Sequence, residues 1–488
     1  MKIHSADLLV LLPLVIVAAT SIAVMIGIAI RRSHPLAVWL TLLGLTAAFV
    51  SAWFAVPLTP RQVTPLVIVD RFGLFYIALN LAACFAVAVL AYSYLEKQEG
   101  QREELYVLLL IATLGSGVLV VSNHFASFFL GLEILSVSLY ALTAYLRTRP
   151  LPLEAGAKYL VLAASSAAFL LFGMALLYAE FGTMSFTRIA PAGTTLTGPD
   201  SVIVLTGLVL LITGFGFKLG VVPFHLWTPD VYEGAPAPVT AFVATVSKGS
   251  MFALLLRYFY GSEAQDLRGV YLVFSIIAIA SMFGGNLLAL FQDNVKRILA
   301  YSSIAHLGYL LVAFQAGGSL AVEAVTFYLV AYFITTLGAF GVITVLSNGE
   351  READTLEDYR GLFWRRPGLA LIFTTMLLSL AGIPLTAGFL GKFYILASGT
   401  SAGIWALILS LIITSVIGLF YYLRIVVTMF AEMPAGVERS LTVAPRLPLT
   451  GTYVLLALTV LLIWFGVYPS LLLNAIHAAI AGLVRVKA

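Results

Sequence analysis

The chain has 488 residues, of which 61% are hydrophobic and 10% are charged, against about 45–50% and about 25% in soluble domains. This composition excludes a soluble globule with one anchor and indicates a polytopic membrane protein. The formal net charge of +4 is spread over short loops, so it is no nucleic-acid signal. The single cysteine, Cys84, excludes an internal disulfide, iron–sulfur cluster or zinc site.

Apolar windows of about 20 residues predict roughly fourteen transmembrane helices. Helix 1 ends at Arg31 and Arg32 rather than at a small-residue cleavage site, so we interpret it as a retained span and not as a signal peptide. The predicted spans are 7–30, 36–56, 71–94, 105–121, 126–146, 155–179, 201–222, 237–260, 269–290, 297–315, 319–346, 367–397, 403–430 and 450–474.

Basic residues mark alternate loops between these helices, whereas the intervening loops hold few. The positive-inside rule then places both termini outside the cytoplasm, which agrees with an even number of helices. No loop is long enough to fold as a soluble domain, so function must lie in the membrane or at surfaces shared with partners. The basic loop residues are Arg31, Arg32, Lys97, Arg102, Arg147, Arg149, Lys296, Arg297, Arg360, Arg365, Arg366, Arg439 and Arg446.

Two predicted helices carry prolines that should break them. The segment after Lys218, GVVPFHLWTPDVYEGAPAPV, contains four prolines, and residues 367–397, which include LAGIPLTAGFLGKF, are too long for one upright helix. Proline removes a backbone donor and clashes with the preceding turn. Non-helical backbone at this depth is tolerated only where it is buried in protein or lines a wet cavity, so both breaks point to a transport site.

Ionisable residues lie inside the apolar runs, where each costs roughly 2.5–3.5 kcal/mol at the centre of a bilayer. Repeated titratable groups at membrane depth suit a proton path, because each can hold a proton and pass it on. A carboxylate close to a lysine favours the charged amine, and Coulomb coupling between neighbours is strong where water is scarce. We predict a proton relay formed by Glu133, Lys158, Lys218, Lys248, His306 and Lys392.

Structural roles remain open for some of these residues. Lys158 could form an ion pair with Glu133 that ties helices 5 and 6, or it could extend to the cytoplasmic surface. His306 could be a hydrogen-bonded core histidine, although histidine titrates near working pH. His225, at the first break, is a secondary candidate. Arg424 holds its proton too tightly to relay it, so it would tune its neighbours.

Polar intramembrane residues recur at a near-constant separation, which predicts an internal repeat. A unit of five helices is odd, so the second copy should be inverted in the membrane. We predict an all-α polytopic fold with helices 1–3 in residues 1–100, a first repeat (helices 4–8) in 101–262, a second (helices 9–13) in 263–432 and a C-terminal helix in 433–488. Three pairs of these residues recur in the two repeats: Lys218 with Lys392, 174 positions apart, Glu133 with His306, 173 apart, and Lys248 with Arg424, 176 apart. Superposing the repeats should bring the members of the first two pairs within about 5 Å of each other along the helix axis.

Motifs for soluble redox chemistry are missing from the sequence. No glycine-rich dinucleotide fingerprint follows a strand, no phosphate-binding loop is present, and the six histidines lack metal-ligand spacing. We therefore expect this chain to bind neither NADH nor a metal ion.

Residues 217–248, FKLGVVPFHLWTPDVYEGAPAPVTAFVATVSK, closely resemble the signature of the proton-pumping membrane subunits of NADH–quinone oxidoreductase (complex I). That family shares ancestry with multisubunit cation/proton antiporters. The segments FLGLEILSVSLYAL and KRILAYSSIAHLGYLL are similar to its helix-5 glutamate and helix-10 segments, and the resemblance covers essentially the whole chain. Lys392 in the second broken helix, and the segment after Glu154 that carries Lys158, resemble the N type rather than the L or M type.

The resemblance implies that partner subunits pass electrons from NADH through FMN and iron–sulfur clusters to quinone, and that the released energy drives protons across helices such as these. It also implies roles for individual residues. Glu133 modulates the charge on Lys218, the central proton holder. Lys248 and His306 pass protons towards Lys392, which delivers them to the periplasmic side.

The resemblance further implies a hetero-oligomer with other complex I membrane subunits and with phospholipids in the bacterial inner membrane, both termini being periplasmic, without nucleic acid. Two other functions remain open. Sodium-dependent transport by the isolated chain would support a sodium/proton antiporter subunit of a related transporter. Full pumping after removal of Lys218 would support a non-pumping scaffold.

Overall fold

The computed structural model describes residues 5–98, 100–189, 199–262, 267–349, 351–432 and 449–484. Most of them are helical, because a helix satisfies its backbone polar groups internally, as hydrocarbon requires. The helices are α1 (Ser5–Ile30), α2 (His34–Ala55), α3 (Arg71–Leu95), α4 (Glu104–Val120), α5 (Phe125–Thr143), α6 (Pro150–Phe181), α7 (Pro199–Leu219), α8 (Trp227–Gly234), α9 (Ala237–Phe242), α10 (Lys248–Ser262), α11 (Arg268–Leu290), α12 (Val295–Ala316), α13 (Gly318–Leu346), α14 (Leu362–Arg365), α15 (Pro367–Ala381), α16 (Ala387–Ala402), α17 (Trp405–Phe430), α18 (Leu449–Val467) and α19 (Ser470–Val484).

Among the described residues, twelve helices or helix runs are long and apolar enough to cross a membrane. They include α9 and α10 as one run, Ala237–Gly261. A count of fourteen spans requires α4 and the α15–α16 pair to cross as well, so this number stays a prediction. The chain is therefore a multi-pass membrane protein whose described residues are predominantly helical.

Two elements differ from the sequence prediction. The last predicted span, 450–474, is wrong at its end, because α18 stops before Tyr468 and the chain turns at Pro469 into the separate helix α19. An antiparallel hairpin of β1 (Arg61–Thr64) and β2 (Val67–Val69) also joins α2 to α3. Its pairs are Arg61 with Val69, Gln62 with Ile68 and Thr64 with Val67.

Both predicted helix breaks are confirmed. Residues 220–226 separate α7 from α8, and residues 382–386 separate α15 from α16. Each break opens on a glycine in the left-handed region, Gly220 (φ +73°) and Gly382 (φ +87°), which ends a helix at little steric cost. With eight residues, α8 is too short to be stable without tertiary contacts.

The segment Ala237–Gly261 lies at the centre of the bundle. Its apolar window is 100% buried within the chain, and those of α13 and α12 are 94% and 89% buried, whereas that of α1 is only 28% buried. A π-helical turn, Val243–Ser247, joins α9 to α10 inside this central segment. The central helices therefore contact protein on nearly all sides, whereas most of α1 lies exposed on the outside of the helix bundle.

A buried ion pair joins α3 to α10. Asp70 caps the start of α3 by accepting a hydrogen bond from the backbone of Gly73 (2.7 Å). The same carboxylate accepts hydrogen bonds from both terminal nitrogens of Arg257 (2.8 and 2.7 Å). Arg257 Nε also donates to the carbonyl oxygen of Val120 (3.0 Å), the last residue of α4. One arginine thus connects three helices.

Candidate functional site

Lys218 lies in the last turn of α7, immediately before the first break, and is only 3% exposed. Its Nζ donates hydrogen bonds to Ser136 Oγ (2.9 Å) on α5 and to Tyr159 OH (3.2 Å) on α6. Within the described ranges, Lys218 forms no ion pair. The amine is therefore enclosed by hydroxyl groups, without a counter-charge in contact.

Glu133 and Lys218 line one small cleft between α5, α6 and α7, with a volume of about 20 Å³. This is room for about one water molecule. Glu133 is half-buried and lies one helical turn before Ser136, the hydroxyl partner of Lys218. No hydrogen bond or ion pair between the two side chains is present in the described part of the chain, so the carboxylate can act on the amine only through its field or through water in the cleft.

Lys248 is the first residue of α10, directly after the π-helical turn, a feature frequent at functional sites. Its Nζ donates to Ser303 Oγ on α12 (2.8 Å). It also lies 5.2 Å from the ring centroid of Tyr232 and 5.7 Å from that of Trp227, within cation–π range. A Cβ atom on Gly220 would lie 3.3 Å from this Nζ, so the glycine of the first break gives the amine room.

His306 lies one turn after Ser303 on α12 and is 3% exposed. Its Nδ1 is hydrogen-bonded with Tyr328 OH and its Nε2 with Tyr422 OH (3.0 Å). Ser303 Oγ accepts a further hydrogen bond from Tyr332 OH (2.8 Å). Because hydroxyl groups both donate and accept, these partners suit either protonation state of the imidazole ring.

Lys392 lies on α16, just beyond the second break, and is 7% exposed. Its Nζ donates to the carbonyl oxygen of Ala381 (2.9 Å), at the end of α15, and to Ser415 Oγ on α17 (2.8 Å). The ring centroid of Tyr309 is 5.2 Å away. A Cβ atom on Gly382 would lie 3.2 Å from this Nζ. Each break therefore places its glycine against a buried lysine amine.

A pair of stacked rings connects the surroundings of the first two amines. Tyr159, which accepts from Lys218, stacks on Trp227 with ring centroids 4.8 Å apart, and Trp227 in turn lies against Lys248. The Trp227 indole donates to the carbonyl oxygen of Phe217 (2.8 Å), which fixes α8 on α7. No continuous hydrogen-bond chain joins the two amines among the described residues, so a proton path between them needs bridging water.

Buried hydroxyl groups near Lys248 offer places for such water. Thr228 Oγ1, which lies against Gly220, and Ser247 Oγ, next to Lys248 in the chain, have no hydrogen-bond partner in the described part of the chain. Buried polar groups without a protein partner commonly bind ordered water. The first break therefore has polar groups to support water beside the amine.

Lys158 lies apart from the other lysines. Its side chain is 45% exposed, and Nζ forms ion pairs with Glu154 and with Asp230, each at 2.7 Å. The alternative of an ion pair with Glu133 is therefore wrong, because Lys158 faces the acidic residue on α8 rather than α5. Its part in a relay stays a prediction.

The two secondary candidates have different surroundings. His225 lies in the first break and is half-buried, and its Nδ1 has no partner among the residues that the structure describes. Arg424 donates to the carbonyl oxygens of Leu290 (3.3 Å) and Gln292, at the end of α11. These are the contacts of a helix cap, so a tuning role for Arg424 stays a prediction.

Sequence reasoning missed the hydroxyl groups that hold the amines and the imidazole. The sequence contains a partial signal, because Ser136 lies three residues, or about one helical turn, after Glu133, and Ser303 lies three residues before His306. The other partners come from helices distant in sequence and follow only from tertiary packing. Within the described ranges, no group of three His, Cys, Asp or Glu side chains could hold a metal ion. The missed residues are Ser136, Tyr159, Ser303, Tyr328, Tyr332, Ser415 and Tyr422.

A family model and many known proteins are similar to the chain, among them the following three proteins. The family model, described as NADH:quinone oxidoreductase/Mrp antiporter, TM, matches residues 122–418. The NADH-quinone oxidoreductase subunit N of Ectopseudomonas mendocina (strain ymp) is 50% identical over 479 residues, which cover 97% of this chain and 96% of that protein. A chain of respiratory complex I from Thermus thermophilus with bound aureothin has a TM-score of 0.81 and 34% identity, covering 96% of this chain and 99% of its own. A chain of the Mrp complex from Dietzia sp. DQ12-45-1b has a TM-score of 0.86 and 21% identity, covering 99% of this chain and 98% of its own. At this level of identity the similarity shows the fold alone.

Proposed function

Because the chain belongs to the NADH:quinone oxidoreductase/Mrp antiporter family of transmembrane proteins, we propose that it translocates protons as a membrane subunit, of the N type, in an NADH–quinone oxidoreductase. Partner subunits hold the FMN, the iron–sulfur clusters and the quinone, and carry electrons from NADH to quinone. This chain holds no redox centre. It receives the released energy as a change in charge or shape passed on by its neighbours.

One observation carries the proposal: three lysine amines are buried at the two helix breaks, and none forms an ion pair with a described residue. They are less than a tenth exposed and are held by hydroxyl and carbonyl oxygens. A buried amine without a counter-charge gains or loses a proton in response to small changes in its field. The amines are those of Lys218, Lys248 and Lys392.

The geometry supports a stepwise mechanism. A proton on Lys218 is stabilised by the field of Glu133 across the water-sized cleft. A second proton on Lys248 is disfavoured while the first remains, because like charges repel strongly where water is scarce. Protons therefore advance singly, from Lys248 past His306 to Lys392, with the tyrosine hydroxyl groups and water as bridges.

We place the working protein in a hetero-oligomer with the other membrane subunits of complex I and with phospholipids in the bacterial inner membrane. The distribution of basic loop residues supports periplasmic termini. Regions 101–262 and 263–432 then act as two inverted repeats, each contributing one broken helix.

The central test replaces Lys218 in the assembled complex reconstituted into liposomes. We expect Lys218→Ala to reduce NADH-driven proton pumping at least about tenfold, the effect of about 1.4 kcal/mol. Lys218→Arg should not restore pumping fully, because arginine holds its proton too tightly to pass it on. Pumping is measured as acidification inside the vesicles, relative to the rate of quinone reduction.

A matched control is Ser165→Ala, an exposed residue of α6 whose hydroxyl bonds only its own helix. This variant should assemble and pump normally. Full pumping by both Lys218 variants, with assembly confirmed, would contradict the proposal and support a scaffold.

A second candidate function is sodium/proton antiport, because the matched family model also covers Mrp antiporters. Proton movement that requires a sodium gradient, and that persists without NADH or quinone, would support this function. Pumping that depends on NADH oxidation and is unchanged by sodium would exclude it.

A further inference from the structure

Lys296 is a fully buried lysine outside the proposed relay. The sequence pattern predicts that Lys296 lies in a cytoplasmic loop, but it lies in the first turn of α12 and is fully buried. Its Nζ donates to the carbonyl oxygens of Glu233 and Ala235 (both 2.7 Å), at the end of α8, and pairs with the carboxylate of Glu352. The loop assignment is therefore wrong, because the amine caps α8 and uses all three of its donors.

Glu352 binds the start of α9, on the other side of the turn that joins α8 to α9. Its Oε1 accepts from Tyr94 OH (2.6 Å) and from the backbone N–H of Ala237 (2.8 Å), the first residue of α9. That N–H is one of the groups at a helix start that have no partner within the helix. The ion pair of Lys296 and Glu352, hereafter the clasp, thus caps the end of α8 and the start of α9 together.

The helix that the clasp holds lies between the first two relay amines. Trp227, at the start of α8, stacks on Tyr159 and lies against Lys248. Tyr232, one turn further, lies 5.2 Å from the same amine, and its hydroxyl is 3.3 Å from Ser303 Oγ. Eight residues span only about 12 Å, so a displacement at the clasp moves both rings against the amines.

Glu352 also belongs to the chain segment that leads into the second broken helix. This segment is fastened to the start of α12, since the backbone N–H of Leu356 donates to the carbonyl oxygen of Asp293 (3.0 Å) and Asn294 Nδ2 donates to the Asp354 carboxylate (2.9 Å). From there the chain runs through α14 into α15. The segment that carries Glu352 and leads to the second break therefore also holds α8, the short helix that follows the first break.

We propose that Lys296 and Glu352 are positioning residues, which hold α8 between Lys218 and Lys248 and connect the two broken helices mechanically. Neither touches a relay amine; both act through α8. This inference rests on the proposed function. The clasp keeps the rings at the separation at which the charges of the two amines are coupled, and passes a shift at one break to the other.

The test uses Glu352→Gln and Lys296→Met in the assembled complex. Removing one partner of a buried ion pair leaves an uncompensated charge, so we expect amide hydrogen exchange in residues 227–239 to rise at least about tenfold. Protons pumped per quinone reduced should fall, while quinone reduction continues. The double variant, Lys296→Met with Glu352→Gln, leaves no unpaired charge and should be less damaged than either single variant.

Arg351→Gln is the matched control, because Arg351 lies in the same segment but is exposed and pairs with Asp358. In this variant, amide hydrogen exchange of residues 227–239 and the number of protons pumped per quinone reduced should be unchanged. Unaltered exchange of residues 227–239 in both single variants, or additive damage in the double variant, would overturn the clasp. If exchange rises but Lys218→Ala still pumps fully, the clasp stands and the proposed function fails.

Discussion

At the scale of single residues, the three central lysines share one arrangement: an amine against hydroxyl or carbonyl oxygens, with aromatic rings close by. Such partners satisfy the donors of a charged amine without fixing the charge, as a carboxylate in contact would. Lys158 and Lys296 differ, because each pairs directly with acidic side chains. A carboxylate in contact thus distinguishes Lys158 and Lys296 from the three central lysines, and a relay role for Lys158 stays a prediction.

If Glu133 acts on Lys218 by charge, Glu133→Asp should be mild and Glu133→Gln severe. The cleft that both side chains line has room for about one water, which can compensate for a side chain one methylene shorter. The amide removes the negative field that favours the charged amine, so we expect pumping to fall about tenfold, the effect of one pKa unit. The measurement is NADH-driven proton uptake by vesicles, corrected for assembled complex. Equal damage from both variants would show that shape, not charge, matters at this position.

The sequence correctly predicts that Lys218, Lys248 and Lys392 are buried, since a charge in an apolar run is visible without a structure. It does not predict that the side chain of Lys158 is 45% exposed. It cannot predict the partners of Lys218, because Ser136 and Tyr159 meet it only after α5, α6 and α7 pack together. The loop assignment of Lys296 failed for the same reason: a lysine at a span end looks solvent-exposed unless the carbonyl groups it caps are known. Local pattern thus determines which residues are unusual, and tertiary packing determines what they contact.

At the scale of elements, the two breaks are where the chain departs from continuous helices, and both follow from proline and glycine in the sequence. Each break brings a left-handed glycine against a lysine amine, although the lysine comes from α10 at the first break and from α16 at the second. The inverted-repeat arrangement therefore stays a prediction. What the two breaks share is a glycine whose missing side chain leaves room for an amine.

Gly220→Ala tests whether that room is needed. The new Cβ would lie 2.4 Å from Thr228 Oγ1 and 3.3 Å from Lys248 Nζ, so the break must shift. We expect the variant to lose most of its pumping, measured per assembled complex.

The matched control is Gly403→Ala, which has almost the same backbone (φ +71°) but nothing within 4 Å of the new Cβ. It bears only the left-handed strain of about 1–2 kcal/mol and should pump normally. Equal loss in both variants would show that backbone strain, rather than contact with the amine, is the cause.

At the scale of the whole molecule, the Asp70–Arg257 pair connects the N-terminal helices to the central segment. Asp70→Asn separates its two roles, because asparagine caps a helix as well as aspartate does but leaves Arg257 without a counter-charge. We expect a loss of about 3–5 kcal/mol, seen as a lower temperature of irreversible dissociation of the purified complex. Arg360→Gln, in an exposed pair with Glu357, is the control and should leave this temperature unchanged. An unaltered temperature for Asp70→Asn would mean that the buried pair adds nothing to stability.

The burial of Ala237–Gly261 also bears on how the protein is made. This segment carries Lys248 and Arg257, and its mean hydropathy of 1.6 is well below the 2.8 of α1, so it partitions poorly into lipid by itself. Asp70 is synthesised long before Arg257, and until then its carboxylate lacks this partner. We expect α3 and α4 to stay beside the insertion machinery until α10 emerges, so that the nascent chain is released into lipid as a group of helices and not one span at a time.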